Sequence, residues 1–295
     1  MCEITKLWKE ILENGELRQD RTGVGTKSIF GYQLKFDLRE RFPLLTAKKT
    51  LWKSAFVEML WFLRGEDNTN YLKQHNVPIW DAWADKDGKL GPIYGVQWRH
   101  WKKTTVKSYF DDVTHEDGSK TLFDAKVLVE EIDQFKRLID KLKNDPTDRR
   151  MMVTAWNPGD LSEMGLPPCH YGFQCYLTSS GELDLMLNIR SMDTGLGTPF
   201  NVAQYAFLQH LIARAATTKE KTITPRFLIV NCGDAHIYKD HLEEIEKLVK
   251  LDKDYPCKTE LKINTNNTEL DGYKIEDFDI INYECGPFIK LPIAV

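Results

Sequence analysis

The sequence holds no CxxC pair, no internal repeat, no low-complexity tract and no long apolar run. Each absence excludes something. The six cysteines, Cys2, Cys169, Cys175, Cys232, Cys257 and Cys285, are scattered through 295 residues, which argues for reduced thiols and against a disulfide framework or a zinc cluster. The longest apolar stretch, Ala55 to Leu63, is interrupted by Glu58 and falls far short of the roughly 20 residues that a spanning helix needs. The opening Met-Cys-Glu-Ile-Thr-Lys lacks the charged start and apolar stretch of a signal peptide, so a soluble, cytoplasmic protein with no membrane partner is expected. Positive charge is not in excess either. Lys and Arg number 40 against 44 Asp and Glu, a net charge of -4, which argues against dedicated nucleic-acid binding. No Pro-, Gly- or Ser-rich linker divides the chain, so a single domain over residues 1–295 is expected. What the sequence does have is apolar material: hydrophobic residues make up 42%, with 8 Trp, 11 Tyr and 14 Phe. That suffices for a substantial core and excludes a disordered or fibrous chain.

The pattern along the chain mixes helices and strands. Ile4, Leu7, Trp8, Ile11 and Leu12 fall at helical spacing, with Gly15 as a natural C-cap. A turn-rich loop, Asp20 to Thr26, leads into a strand from Ser28 to Leu38. Helices are expected over Thr50 to Leu63, ending near Gly65, and over Phe123 to Leu142, stopped by Asn144-Asp145-Pro146. From Met151 the pattern turns to strands: Met151 to Trp156, Phe173 to Leu177, and Glu182 to Ser191, where Leu183, Leu185, Leu187 and Ile189 alternate with Asp184, Met186, Asn188 and Arg190. Phe200 to Ala216 reads as a buried helix, Arg226 to Asn231 as a strand and Asp240 to Lys250 as an amphipathic helix. The stretch Lys102 to Lys120 reads as a polar surface loop, and the basic cluster Arg99 to Lys103 as its flank.

Several residues could carry chemistry. Cys169 follows Pro167-Pro168, a stiffened approach that would present a thiol nucleophile well, although a small buried core residue is the commoner reading of that pattern taken alone. Glu58 sits among apolar neighbours in its helix. Either it is buried and paired, protonated or functional, or it lies on an exposed stripe with Ser54. Arg21, Arg149, Arg150 and Arg190 are surface charges or forks for a phosphate dianion, since guanidinium matches that geometry best. Gly233-Asp234-Ala235-His236-Ile237-Tyr238 reads as a ligand-facing loop between a strand and a helix. The five-residue spacing of His236 and His241 suits neither a helical pair nor a zinc pattern, so no metal is expected.

Taken together these motifs resemble the thymidylate synthase family. The likeness covers most of the chain through ordered blocks: Asp20-Arg-Thr-Gly-Val-Gly-Thr-Lys-Ser-Ile-Phe-Gly31, Phe42-Pro-Leu-Leu-Thr46, Glu58-Met-Leu-Trp-Phe-Leu63, Ile79-Trp-Asp-Ala-Trp83, Leu90-Gly-Pro-Ile-Tyr-Gly-Val-Gln-Trp-Arg99, Asp148-Arg-Arg150, Leu166-Pro-Pro-Cys-His170, Arg190-Ser-Met-Asp193, Leu196-Gly-Thr-Pro-Phe-Asn201, Gly233-Asp-Ala-His-Ile-Tyr238 and Pro292-Ile-Ala-Val295. The resemblance implies an α/β domain with a large mixed β-sheet, helices against one face and dimer packing on the other. It implies a methyltransferase of nucleotide biosynthesis that converts dUMP to dTMP, with 5,10-methylenetetrahydrofolate giving both carbon and hydride. Cys169 would be the nucleophile that adds to pyrimidine C6, with the Arg190 cation favouring its thiolate. Glu58, Tyr94, His170, Asp193 and Asn201 would complete the catalytic set, Asn201 also reading the uracil edge through its amide. Arg21, Arg190 and Ser191 would hold the phosphate, helped by Arg149 and Arg150 of a homodimer partner. His236 and Tyr238 would hold the ribose hydroxyl. Ser54, Ile79, Trp80, Trp83, Asp193, Leu196, Gly197, Phe200, Tyr238 and Ala294 would border the reduced folate, and Val295 would close over the site.

The sequence also departs from the family pattern. Leu51 stands where many members carry a histidine near the folate, Asn188-Ile189 replaces the frequent Tyr-Gln before Arg-Ser, and the Lys102 to Lys120 segment is longer than in compact bacterial members. The nearest rival is a pyrimidine nucleotide hydroxymethylase, in which water attacks the one-carbon intermediate. Asn201 favours uracil over cytosine, and Trp80, Trp83 and the Pro-Ile-Ala-Val tail favour hydride transfer. An inactive binding or regulatory relative would be expected to lose Cys169, Glu58 or Arg190, and all are present.

Overall fold

A computed structural model describes residues 2–109, 113–114, 116–121, 124–251, 255 and 257–293. Along the chain run α1 (Glu3–Asn14), β1 (Glu16–Arg18), β2 (Thr26–Asp37), α2 (Trp52–Arg64), α3 (Asn70–Gln74) and α4 (Tyr94–Arg99). Next come β3 (Trp101–Tyr109), β4 (Val113–Thr114), β5 (Lys120–Thr121), β6 (Asp124–Ile132), α5 (Gln134–Asn144), β7 (Met152–Thr154), β8 (His170–Leu177) and β9 (Glu182–Asp193). The chain continues through α6 (Gly197–Ala216), β10 (Thr224–Tyr238), α7 (Leu242–Leu251), β11 (Glu260–Ile263) and β12 (Phe278–Ile281). The main sheet has 6 strands in the order β1-β2-β10-β9-β8-β7. Only β9 and β10 pair parallel; their neighbours are antiparallel. This is the mixed α/β architecture that the sequence led us to expect.

Alternation sets the two faces. In β9, Leu183, Leu185, Leu187 and Ile189 are buried while Asp184, Met186 and Asn188 are half-buried and Arg190 is exposed, as their spacing predicts. The buried face is covered by α6, a helix apolar nearly all round because α2 packs on its far side. There Phe56 of α2 stacks on Phe207 of α6 with ring centroids 4.0 Å apart. Helix α2 stops where expected, at Gly65, which takes the left-handed conformation. Gly15 does cap α1 by donating to the Ile11 carbonyl, but in extended backbone.

An irregularity, here called the bend, crosses the central strands of the sheet where their burial pattern changes phase. His170, Ile189 and Cys232 are successive cross-strand neighbours, and the register of β8 and β9 slips immediately after His170. The buried apolar positions of β10 are Leu228, Val230 and Cys232 before the bend and Ala235 and Ile237 after it, with His236 buried between the last two. In β9 they pass from Ile189 to Met192. At the bend a Cβ on Gly233 would sit 2.7 Å from the Arg190 carbonyl oxygen, so the strands approach this closely only because the residue is glycine.

Three expectations need correction here. The segment Gly233 to Tyr238 is not a loop: it continues β10, paired with β2 up to Tyr238↔Thr26. The bend interrupts the alternation, so the sequence pattern alone ends the strand at Asn231. The helix expected over Phe123 to Leu142 is also wrong in its first half. Phe123 lies outside the described residues, β6 occupies Asp124–Ile132, and α5 begins only after Asp133, whose side chain accepts from the Lys136 N–H. The β-branched Val127 and Val129 suit a strand that pairs with β3. The stretch Lys102 to Lys120, expected as a polar surface loop, is also corrected: β3 carries it to Tyr109 as the other arm of that hairpin, and β4 and β5 follow within it. Its basic flank is neutralised locally: Arg99 pairs with Asp133 at 3.0 Å, His100 with Glu131 at 3.1 Å and Lys103 with Glu130 at 3.2 Å.

Candidate active site

The bend gathers most of the candidate residues. Cys169 lies just before β8, half-buried, and its backbone N–H donates to the Tyr94 hydroxyl at 2.8 Å. From β9, Arg190 Nε donates to the Pro168 carbonyl at 2.9 Å and Nη2 to that of Pro167 at 3.0 Å. This places Nη2 4.0 Å from Cys169 Sγ. The two prolines therefore do more than stiffen the approach: their carbonyls anchor the guanidinium beside the thiol. Burial nonetheless outweighs the cation, and with Asp193 opposing as well, the Cys169 thiol titrates above its ordinary value. The expected thiolate-favouring effect of Arg190 is present but does not prevail.

Tyr94 is buried and its hydroxyl is held well above its ordinary value by burial. Its ring stacks on His170 at 4.1 Å. His170 Nδ1 lies 2.8 Å from the Tyr205 hydroxyl, and burial lowers its pKa to about 3, so the imidazole is neutral. Tyr205 was not anticipated.

Glu58 is buried, which settles the choice left open by the sequence; Ser54, one turn earlier, is half-buried, not part of an exposed stripe. Glu58 Oε1 accepts from Trp80 Nε1 at 2.5 Å and Oε2 accepts from Gln204 Nε2 at 2.6 Å. Burial lifts its pKa to about 7, with both hydrogen bonds opposing. Gln204 in turn accepts from Asn201 Nδ2 at 3.3 Å. A continuous polar chain thus joins Asn201, Gln204, Glu58 and Trp80 across two helices and the segment before α4. Gln204 is a linking residue that the sequence reading missed. Its one signal is a polar side chain three positions after Asn201 in a largely apolar stretch of helix.

Asp193 ends β9 and its Oδ1 accepts from the N–H groups of Gly195 and Leu196 at 2.9 and 3.1 Å, fixing the entry to α6. Leu196, Gly197 and Phe200 stand half-exposed on that entry. Lys48, also missed, is buried and donates to the Gly195 carbonyl at 2.9 Å; burial lowers its pKa to about 8, against the pull of Asp193. Trp80 and Trp83 form an edge-to-face pair 5.8 Å apart, with Ile79 half-buried beside them.

His236 and Tyr238 point to one side of β10, their rings 5.2 Å apart. His236 Nδ1 lies 3.0 Å from Asp234 Oδ1, a contact that holds the Asp234 carboxyl below its ordinary value. Ser191 is the cross-strand neighbour of Asp234. Arg21 is exposed on a loop fixed by Asp20, whose carboxylate accepts from Thr22 and Gly25.

Arg149 and Arg150 are not brought to this cluster. Both are exposed beyond α5, where the Arg149 carbonyl accepts from Gln174. Gln174 lies five residues along from Cys169, roughly 17 Å of strand. Ala294 and Val295 lie outside the described residues. Among the described residues, no group of three or more His, Cys, Asp or Glu could hold a metal ion, and no helix is long and apolar enough to cross a membrane.

The arrangement therefore offers a thiol beside an arginine, a buried carboxyl linked through Gln204 to an amide, and a pair of indole rings of which Trp83 is half-exposed. The family model described as thymidylate synthase matches residues 3–295. Proteins named thymidylate synthase from the Coxiella burnetii strains Dugway 5J108-111, RSA 331 / Henzerling II and RSA 493 / Nine Mile phase I are each 42% identical to this chain over 295 residues, covering 100% of both chains. The chain belongs to the thymidylate synthase family.

Proposed function

We propose that this site converts dUMP to dTMP, with 5,10-methylenetetrahydrofolate as co-substrate, and that the residues assembled at the bend carry the reaction. The observation that carries the reading is the placement of Cys169 Sγ 4.0 Å from Arg190, with the Asn201–Gln204–Glu58 chain on α6 and α2. Uracil C5 is too weak a nucleophile to capture a one-carbon unit. Addition of Cys169 sulfur to C6 makes C5 enolate-like and divides one hard step into two easier ones. The dUMP phosphate would lie across Arg190, Ser191 and Arg21, whose guanidinium forks suit a dianion. His236 and Tyr238 would hold the ribose hydroxyl. Asn201 offers uracil an acceptor for N3–H and a donor for O4. Glu58, near half-protonated around neutral pH, can pass a proton at the pyrimidine oxygen through water. Tyr94, pinned by the Cys169 N–H, would assist removal of the C5 proton. The folate supplies carbon and hydride when bound; Trp80, Trp83, Leu196, Phe200 and Tyr238 would form its wall and keep water out. A hydroxymethylase reading is not favoured.

A homodimer completes the site in this reading. Tyr176 and Met152 are 62% and 58% exposed on the sheet face turned away from α6, and Met186 and Ile229 lie half-buried on the next two strands, β9 and β10. Such an apolar sheet face fits a second copy of the chain. Arg149 and Arg150, too far along β8 to serve their own Cys169, would then reach the partner's phosphate site. The test is turnover of dUMP with 5,10-methylenetetrahydrofolate, followed by the absorbance of dihydrofolate. Turnover is expected in the native chain and none in Cys169→Ala, which should still bind dUMP; substantial turnover in that variant would refute the assignment of the nucleophile.

A further inference from the structure

His241 stands apart from the groups used so far. It is fully buried just after β10, and its Nε2 donates to the Pro292 carbonyl at 2.8 Å. With Nε2 donating to that carbonyl, Nδ1 is buried and has no hydrogen-bond partner among the described residues. Nδ1 abuts Gly195: a Cβ there would lie 3.0 Å from it, 3.2 Å from Leu291 Cδ1 and 3.5 Å from Asp193 Oδ1. Leu291 is itself buried. Three groups from distant parts of the sequence thus converge on one residue without a side chain. The same residue is held by Lys48 at its carbonyl and by Asp193 at its N–H.

We propose that His241 is a positioning residue for the reaction. Its imidazole pins the Leu291–Ile293 segment against the Asp193–Gly197 turn, so the wall of the site and the end of α6 are set as one unit. This rests on the reading of that turn as the edge of the reacting site. A phenyl ring would fill the same space without donating to Pro292, which makes the hydrogen bond separable from the packing. One net neutral hydrogen bond corresponds to about a two- to tenfold change in the docked population of the segment.

The test compares the native chain with His241→Phe and His241→Gln, whose amide can place a donor near the position of Nε2. Amide hydrogen exchange of Leu291 and Ile293 reports the latch without reference to turnover. It should quicken in His241→Phe by about two- to tenfold and return towards native in His241→Gln. The kcat for dTMP formation should follow the same order, while the Kd for dUMP stays within about twofold. Unchanged exchange in His241→Phe would overturn the latch; faster exchange with unchanged kcat would overturn the positioning role. Should the phenyl variant lose dUMP binding, Gly195→Ala pushes the imidazole by a few tenths of an ångström and must produce the same paired loss. If the native chain makes no dTMP while exchange responds as described, the failure lies in the reading of the site and not in the latch.

Discussion

At Glu58, burial sets the protonation of a carboxyl in the middle of a helix. Its pKa near 7 lies well above the ordinary 4.5, so between those values the folded state binds a proton that the unfolded chain has released. Stability contributed by this site therefore falls as pH rises from about 4.5 to about 7. The shift corresponds to a loss of up to about 3 kcal/mol at alkaline pH. Glu58→Gln should flatten that part of the curve, checked by denaturant unfolding at a series of pH values. Its kcat should also lose the inflection near pH 7 that is expected of the native chain. A native pH profile without an inflection there would speak against the proton-transfer role. Cys169 offers a second check, because burial holds its thiol above the ordinary range. Alkylation of the free enzyme should accelerate only at alkaline pH, and dUMP should protect; fast alkylation at neutral pH would show that Arg190 dominates after all.

At the scale of elements, the bend of the sheet brings Cys169, Arg190 and His236 into one region. Gly233→Ala places a methyl 2.7 Å from a backbone oxygen of β9. It should destabilise by about 1–3 kcal/mol and weaken dUMP binding more than a core substitution of equal cost, such as Leu228→Ala. Denaturant unfolding and dUMP titration on both variants make that comparison. The same bend explains what the sequence could and could not reveal. The leucine alternation of β9 and the caps of α1 and α2 were legible because each follows one local period or one terminal residue. β10 was read seven residues short at its end because its alternation changes phase at Gly233. The β6 strand was read as helix because its apolar spacing permits either, and only its pairing with β3 decides. Site residues with a chemical signature, such as Cys169 and Glu58, could be singled out. Gln204, Lys48 and Tyr205 could not, because their importance comes from partners far away in sequence.

For the whole molecule, the exposed sheet face and the stranded Arg149–Arg150 pair lead to one expectation. Cys169→Ala and a double Arg149→Ala, Arg150→Ala variant should each be nearly inactive alone. Mixed and allowed to exchange subunits, they should regain activity, because each mixed dimer contains one site with an intact thiol and intact partner arginines. No recovery on mixing would place the arginines with their own subunit or outside the reaction. The central claim remains the chemistry at C5 of the pyrimidine. It is tested most directly by the mass of the nucleotide formed from dUMP and 5,10-methylenetetrahydrofolate. A gain of CH2 is the predicted result, since hydride from the folate then completes a methyl group. A gain of CH2O would mean that water reaches the intermediate first, and would contradict the account.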